Sequence, residues 1–154
     1  MAPRRSAGIL LYRVVDDVPH VLLGHMGGPF WARRDAGAWT VPKGEYGSDE
    51  GPEAAARREF TEELGMPPPE GRLVSLGEVR QSGGKVVTAF ALRGELDPDA
   101  IAPGTFSLEW PTGSGVVREF PEVDRVAWFT LDRARSKLVV AQRVFVDRLA
   151  AYLH

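Results

Sequence analysis

The stretch from Gly44 to Met66, GEYGSDEGPEAAARREFTEELGM, constrains the fold more than any other part of the chain, because it confines an acidic helix between hard stops. Pro52 suits a first helical position, Glu53 adds a favourable charge to the first turn, and Ala54 to Leu64 are mostly good helix formers. Gly65, with Pro67, Pro68 and Pro69 behind it, enforces the end. A helix from Pro52 to Leu64 is predicted. At about 100° per residue, Glu59, Glu62 and Glu63 stand at i, i+3 and i+4, so three carboxylates leave one side of the helix. Ala56, Phe60 and Leu64 repeat at i, i+4 and i+8 on the neighbouring stripe, which presses that side onto a core and holds the carboxylates at its margin.

A lone ExxEE on a helix reads as a solvated acidic face. Here the surroundings favour a different use. Carboxylates clustered at fixed geometry suit hard divalent cations, Mg²⁺ above all, which takes oxygen ligands, keeps several waters and bridges to phosphates. Arg58 lies one turn from Glu62 and is placed to brace a carboxylate through a bidentate hydrogen bond. Ala55, one turn before Glu59, is small enough to leave room for metal and phosphate. The loop from Pro42 to Gly51 holds three glycines and is able to turn backbone groups toward the same point.

Gly44, Glu50 and the run Arg58-Glu59-Phe60-Thr61-Glu62-Glu63-Leu64-Gly65-Met66 resemble the Nudix signature, G-x5-E-x7-R-E-U-x-E-E-x-G-U, in which U is a bulky aliphatic residue. Every fixed position matches. Phe60 and Met66 stand at the two U positions in place of the usual Ile, Leu or Val, which keeps hydrophobicity and removes no chemical group. The run Trp39-Thr40-Val41-Pro42-Lys43-Gly44 also resembles the segment that precedes this box in many members of the family.

The resemblance implies a Nudix-type α/β/α sandwich with a mixed β-sheet, and a metal-dependent pyrophosphohydrolase acting on a nucleoside diphosphate linked to some group X. Carried over residue by residue, Glu59, Glu62 and Glu63 would hold Mg²⁺, or Mn²⁺ in its place, with the Gly44 carbonyl as a further ligand. Arg58 would orient a carboxylate, and Glu50 would brace the loop. Many members use a downstream glutamate about six residues before a Trp that opens a late strand; Glu122, six before Trp128, is favoured over Glu119. The general base stays open among Glu62, Glu63 and Glu122. Overall length and the approach run most resemble the diadenosine tetraphosphate hydrolase branch. Removal of pyrophosphate from (d)NTPs is the alternative, and a non-catalytic nucleotide-sensing module is a different class, disfavoured by a box that has lost none of its acids.

The rest of the chain frames this site. With 154 residues, 44% of them hydrophobic, and no linker-like break, one domain spanning 1–154 is expected, with the box at 44–66. The absence of cysteine excludes disulfides, zinc-thiolate sites and a cysteine nucleophile. A formal charge of −2 gives no basic footprint for long nucleic acid, so RNA 5′-end processing is disfavoured unless Arg4, Arg5, Arg33 and Arg34 form a local patch. The apolar run near the start breaks at Arg13, too soon for a signal peptide, and no stretch is long enough for a membrane span; a cytoplasmic protein is expected.

Ser6 to Val15 and Val18 to Gly24 read as a hairpin turning at Asp16-Asp17, and Arg72 to Gln81 with Lys85 to Gly94 as a second one. The loop from Gly27 to Gly37 offers Phe30, Trp31, Arg33 and Arg34, residue types that stack on a base or hold a phosphate; a Trp covering the core is about as good a reading. Lys43 sits where a cation would meet an incoming polyphosphate, and Trp110 is a further stacking candidate. Asp97 to Trp110 reads as irregular, Val126 to Phe129 as a short buried strand, and Leu131 to Leu153 as one helix with a stripe of Leu138, Val139, Gln142, Phe145, Val146, Leu149 and Leu153. His25 stands near the loop, where a structural role is the better reading.

Overall fold

In Arg5–Val15, strand β1, the side chains alternate between two apolar cores. Ala7, Ile9 and Leu11 join one cluster; Leu10 and Tyr12 join the other, as the period of two in a strand requires. A strand buried on both faces belongs in the middle of a sheet. The computed structural model describes residues 3–154; residues 1 and 2, with which the expected domain range begins, lie outside the described residues.

Strand β1 turns at Asp16-Asp17, both with positive φ, into β2 (Val18–Met26), the first hairpin expected from sequence. Short strands β3 (Trp39–Thr40) and β4 (Lys43–Glu45) come next, then helix α1 (Pro52–Leu64) at the predicted boundaries. The second hairpin is β5 (Val74–Arg80) with β6 (Val86–Arg93), the latter parallel to β1. Seven strands form one mixed sheet in which β1–β6 is the parallel pair.

The C-terminal half of β1 pairs with the start of β2, but its first residues pair with β4, while the end of β2 pairs with β3. The two long strands therefore splay, and the run from Trp39 to Glu45 fills the gap between them. This inserts Lys43 and Gly44 at the sheet's open end.

Three stretches depart from the sequence reading. The segment expected to be irregular holds β7 (Thr105–Glu109), which pairs with β8 (Val117–Pro121) in a separate two-stranded hairpin. The last strand, β9, is longer than expected, running Val123–Thr130 along β2. The single C-terminal helix is two, α2 (Leu131–Lys137) and α3 (Arg143–Leu153). Leu138 and Val139 between them are extended because they bond to the sheet: the Val139 nitrogen donates to the Trp39 carbonyl at 3.0 Å. The predicted stripe holds through Leu149, but Leu153 is exposed.

Helix α1 covers one face of the sheet, burying Ala55, Ala56, Phe60 and Leu64 completely; α2 and α3 cover the other with Ala134, Phe145, Val146 and Leu149. This is the expected α/β/α sandwich. Each large apolar side chain so buried contributes about 1.5–3 kcal/mol. Ala55 is a correction: it packs into the core and leaves no space for metal or phosphate. Helix α1 stops at Gly65, which takes a left-handed conformation (φ 71°) and donates its N–H to Thr61 at 2.8 Å.

Candidate active site

Glu59 is the most buried of the helix acids, 8% exposed, and its carboxylate lies against the bare Cα of Gly44. A side chain at residue 44 would occupy the carboxylate's own space. Glycine here thus serves close approach between β4 and α1.

Arg58 ties the acids together. Its Nε and Nη2 fork onto Glu50 at 2.9 and 2.8 Å, its Nη1 donates to Glu59 at 2.7 Å and reaches Glu62 at 3.2 Å, and Nη2 touches the Glu45 carbonyl at 3.3 Å. The bidentate partner is Glu50, from the loop, with Glu62 touched by a single nitrogen. The hydrogen bond from Arg58 holds the Glu50 carboxyl below its ordinary pKa, and the same bond makes Arg58 hold its proton more tightly than an ordinary arginine. Burial acts the other way on Glu59 and raises its pKa, with Arg58 opposing.

Glu63 points to the other side of the recess. Burial, and then the neighbouring Glu122 carboxylate, push its pKa up to about 8, and its Oε2 is buried without a hydrogen-bond partner. Lys43 faces it, its pKa drawn down by burial while the charge of Glu63 pulls it back up. Backbone bonds place Glu122 beside this pair: the Gly104 nitrogen donates to the Glu62 carbonyl at 3.2 Å, and the Glu122 nitrogen donates to the Gly104 carbonyl at 2.8 Å. The loop that satisfies the end of α1 therefore also carries Glu122 to it. Glu119 is exposed on β8, opposite Ser107.

Among the described residues, no three acidic or imidazole side chains stand close enough to enclose a cation as they are placed. Arg58 supplies the positive charge to Glu59 and Glu62 in this arrangement. The donor set nonetheless fits a hard cation: it is all oxygen, it lines one recess with Glu59, Glu62, Glu63 and Glu122, and Glu63 Oε2 lacks a partner.

A cavity of about 400 Å³ adjoins the recess and shares Lys43, Glu63 and Glu122 with it. Its walls include Trp31 and Phe106, and Thr40, Gln81 and Gln142 add polar groups. Trp31 is thus brought to the cavity. Phe30 is not: it is 63% exposed and meets Trp110 edge-on at 5.7 Å. Arg34 lies over the Trp31 ring at 5.6 Å, Arg33 is exposed, and neither lines the cavity. His25 is fully buried, with Nδ1 3.0 Å from Asp124 and Nε2 2.7 Å from the Arg34 carbonyl oxygen, and does not reach it.

Sequence reasoning missed Lys85, which lines the recess beside Lys43, as well as Phe106 and Gln81 in the cavity. Alternation of Phe106 with Leu108 was the available signal for a strand that presents one aromatic face; the two lysines lie 42 positions apart and carry no local signal.

Comparisons with known proteins place the chain in a family and a fold. The NUDIX domain family matches residues 2–149. An RNA pyrophosphohydrolase of Hahella chejuensis is 45% identical over 49 residues, which span 31% of this chain and 30% of that relative. An Ap4A hydrolase of C. elegans, in a binary complex, superposes with a TM-score of 0.65 at 21% identity, covering 97% of each chain. The NUDIX domain of Shewanella oneidensis NrtR, complexed with ADP ribose, gives 0.65 at 16% identity, covering 100% of this chain and 90% of that one. At these identities the structures establish the fold. With the whole signature present and the family model matched over residues 2–149, this chain belongs to the Nudix family.

Proposed function

We propose that this protein is a Mg²⁺-dependent pyrophosphohydrolase of a nucleoside diphosphate linked to a further group, with diadenosine tetraphosphate or a related dinucleoside polyphosphate as its first substrate. One observation carries this. The aromatic cavity and the carboxylate recess adjoin and share Lys43, Glu63 and Glu122 as walls, which supports a base in the first with its phosphates in the second.

Glu59, Glu62 and Glu63, with the Gly44 carbonyl, would hold the cation, Mn²⁺ serving as a substitute. When bound, it supplies charge neutralisation at the phosphate oxygens and lowers the pKa of water. The chain's own residues supply the rest. Arg58 ties Glu50, Glu59 and Glu62 to one another, which keeps the carboxylates that would close on the cation at one margin of the recess. Lys43 and Lys85 line the recess and would meet phosphate oxygens there. Glu62, Glu63 and Glu122 are the groups placed to take a proton from attacking water.

Pyrophosphate removal from RNA 5′ ends is a second reading, supported by the 49-residue likeness to the Hahella chejuensis protein. The test is to incubate purified protein and Mg²⁺ or Mn²⁺ with diadenosine tetraphosphate, ADP-ribose, nucleotide sugars, NTPs, oxidised dNTPs and 5′-triphosphorylated RNA, separating products by chromatography. Turnover of diadenosine tetraphosphate is expected. Selective turnover of another member would replace that substrate, and silence across the panel would overturn the enzymatic reading in favour of a nucleotide-sensing module.

A further inference from the structure

Gln142 is almost completely buried, and its carboxamide has one orientation that its neighbours permit. The Val41 backbone nitrogen, which is only a donor, lies 2.9 Å from Gln142 Oε1. The Gln142 nitrogen must then be the atom that faces Thr40 Oγ1 at 3.0 Å and the Gln81 side chain at 2.9 Å, and both its hydrogens are used there. A donor on one side demands an acceptor on the other, so Gln81 turns its Oε1 to Gln142. Its own –NH₂ group is left for the cavity that Gln81 lines together with Trp31 and Phe106. The backbone anchors this residue: Gln81 N–H donates to the Lys85 carbonyl at 2.8 Å, and its carbonyl accepts from Gly84 at 3.2 Å. A chain of three residues, from Val41 through Gln142 to Gln81, thereby fixes the hydrogen-bonding sense of a side chain that would otherwise be free to flip.

We propose that Gln81 is the specificity-determining residue that reads the edge of a nucleobase in this cavity, its Nε2 donating to a ring nitrogen or carbonyl oxygen of the base. The assignment rests on the nucleotide-hydrolase reading above and adds how one base is told from another. Trp31 and Phe106 give the cavity aromatic walls, which do not distinguish one base from another; an oriented donor is what discriminates.

Two variants separate the donor from its surroundings. Gln81→Glu keeps an oxygen for Gln142 and turns an acceptor to the cavity in place of a donor, and Gln81→Met fills the same space with no hydrogen bond and no charge. Binding of the α,β-methylene diphosphates of adenosine, guanosine, cytidine and uridine, which resist cleavage between the first two phosphates, is measured by calorimetry with Mg²⁺. Methylenediphosphonate serves as the probe without a base. Wild type is expected to distinguish the four bases, and Gln81→Met to weaken the preferred one about tenfold while narrowing the spread among them. Gln81→Glu is expected to change their order toward bases that present an amino group, and methylenediphosphonate to bind wild type and Gln81→Met equally. Failure of wild type to bind any of the nucleotides overturns both the nucleotide reading and this one. Binding that Gln81→Met leaves unchanged for every base, or weakens uniformly for all of them, overturns the Gln81 assignment alone and leaves the hydrolase standing.

Discussion

Gly44 and Glu59 stand so close that a β carbon on the glycine would overlap the glutamate's carboxylate. The contact joins the strand that enters the splayed sheet to the helix that carries the acids. Gly44 does not have positive φ, so alanine is acceptable to the backbone and its cost falls on Glu59. Gly44→Ala is expected to fold, and to lower kcat/KM by about 100-fold, because a displacement of about 1 Å at a positioned group has that effect. Wild-type turnover together with an unshifted circular dichroism melt would refute it.

Arg58 meets Glu50 with two nitrogens and spends a third on Glu59 and Glu62. Lysine keeps the charge but offers one ammonium in place of the planar fork. Arg58→Lys is therefore expected to reduce kcat/KM roughly 10- to 100-fold, the usual cost of removing a group that orients ligands. A second readout reports the bond itself. Glu50 now titrates below the ordinary carboxyl range because of Arg58, and carbon-detected NMR should find its pKa raised in the variant. A Glu50 titration that does not move would show that the fork is not what holds it.

The acidic helix was legible because its signals are local: a proline at its first position, a glycine at its end, and apolar residues at i, i+4 and i+8 set every boundary of α1. The same locality made both hairpins readable. What escaped depends on partners far along the chain. Leu138 and Val139 sit inside a helical apolar pattern, yet the bond from Val139 to the Trp39 carbonyl pulls them out of helix, and Trp39 lies about a hundred positions away. Phe106 belongs to a hairpin that no main-sheet strand pairs with, so its alternation is short and easily read as loop. In the site, the spacing of Glu59, Glu62 and Glu63 placed them at one margin of the helix, but it did not show that Arg58 forks onto the loop acid Glu50, or that Phe30 stands outside the cavity while Trp31 lines it.

Asp35 fastens the loop that bears Trp31 to the opposite layer: its Oδ1 accepts from Trp39 Nε1 at 2.9 Å and its Oδ2 pairs with Lys137. The hydrogen bond from Lys137, then that from Trp39, hold its pKa below the ordinary aspartate value. For a carboxyl lowered in the folded state, the stabilisation is fully present above the unfolded pKa, about 4. It is lost as pH falls below that value through the folded pKa. Asp35→Asn should accordingly melt lower than wild type at pH 7, and the gap should shrink as pH falls below about 4. A gap that is constant with pH would assign the effect to packing. Added salt should also narrow the gap at pH 7, because the Asp35 side chain is more than half exposed.

Glu122 reaches the recess through the Gly104 backbone, which is bonded to Glu62 on one side and Glu122 on the other, whereas Glu119 projects from the exposed hairpin three residues earlier. Proximity to Glu63, whose pKa Glu122 helps to raise, puts a second acid within electrostatic reach of the helix acids. Glu62→Gln removes a charge from a half-exposed side chain without opening a cavity, so it should leave the melting temperature nearly unchanged while cutting kcat by about 10³ or more if Glu62 serves the reaction. Glu122→Gln should lower kcat by about 10- to 100-fold, and Glu119→Gln should stay within about twofold of wild type. Steady-state rates with saturating Mg²⁺ rank the three. A Glu119→Gln loss larger than that of Glu122→Gln would move the downstream acid from the loop beside α1 to the hairpin, and an active Glu62→Gln would remove the helix stripe from the chemistry altogether.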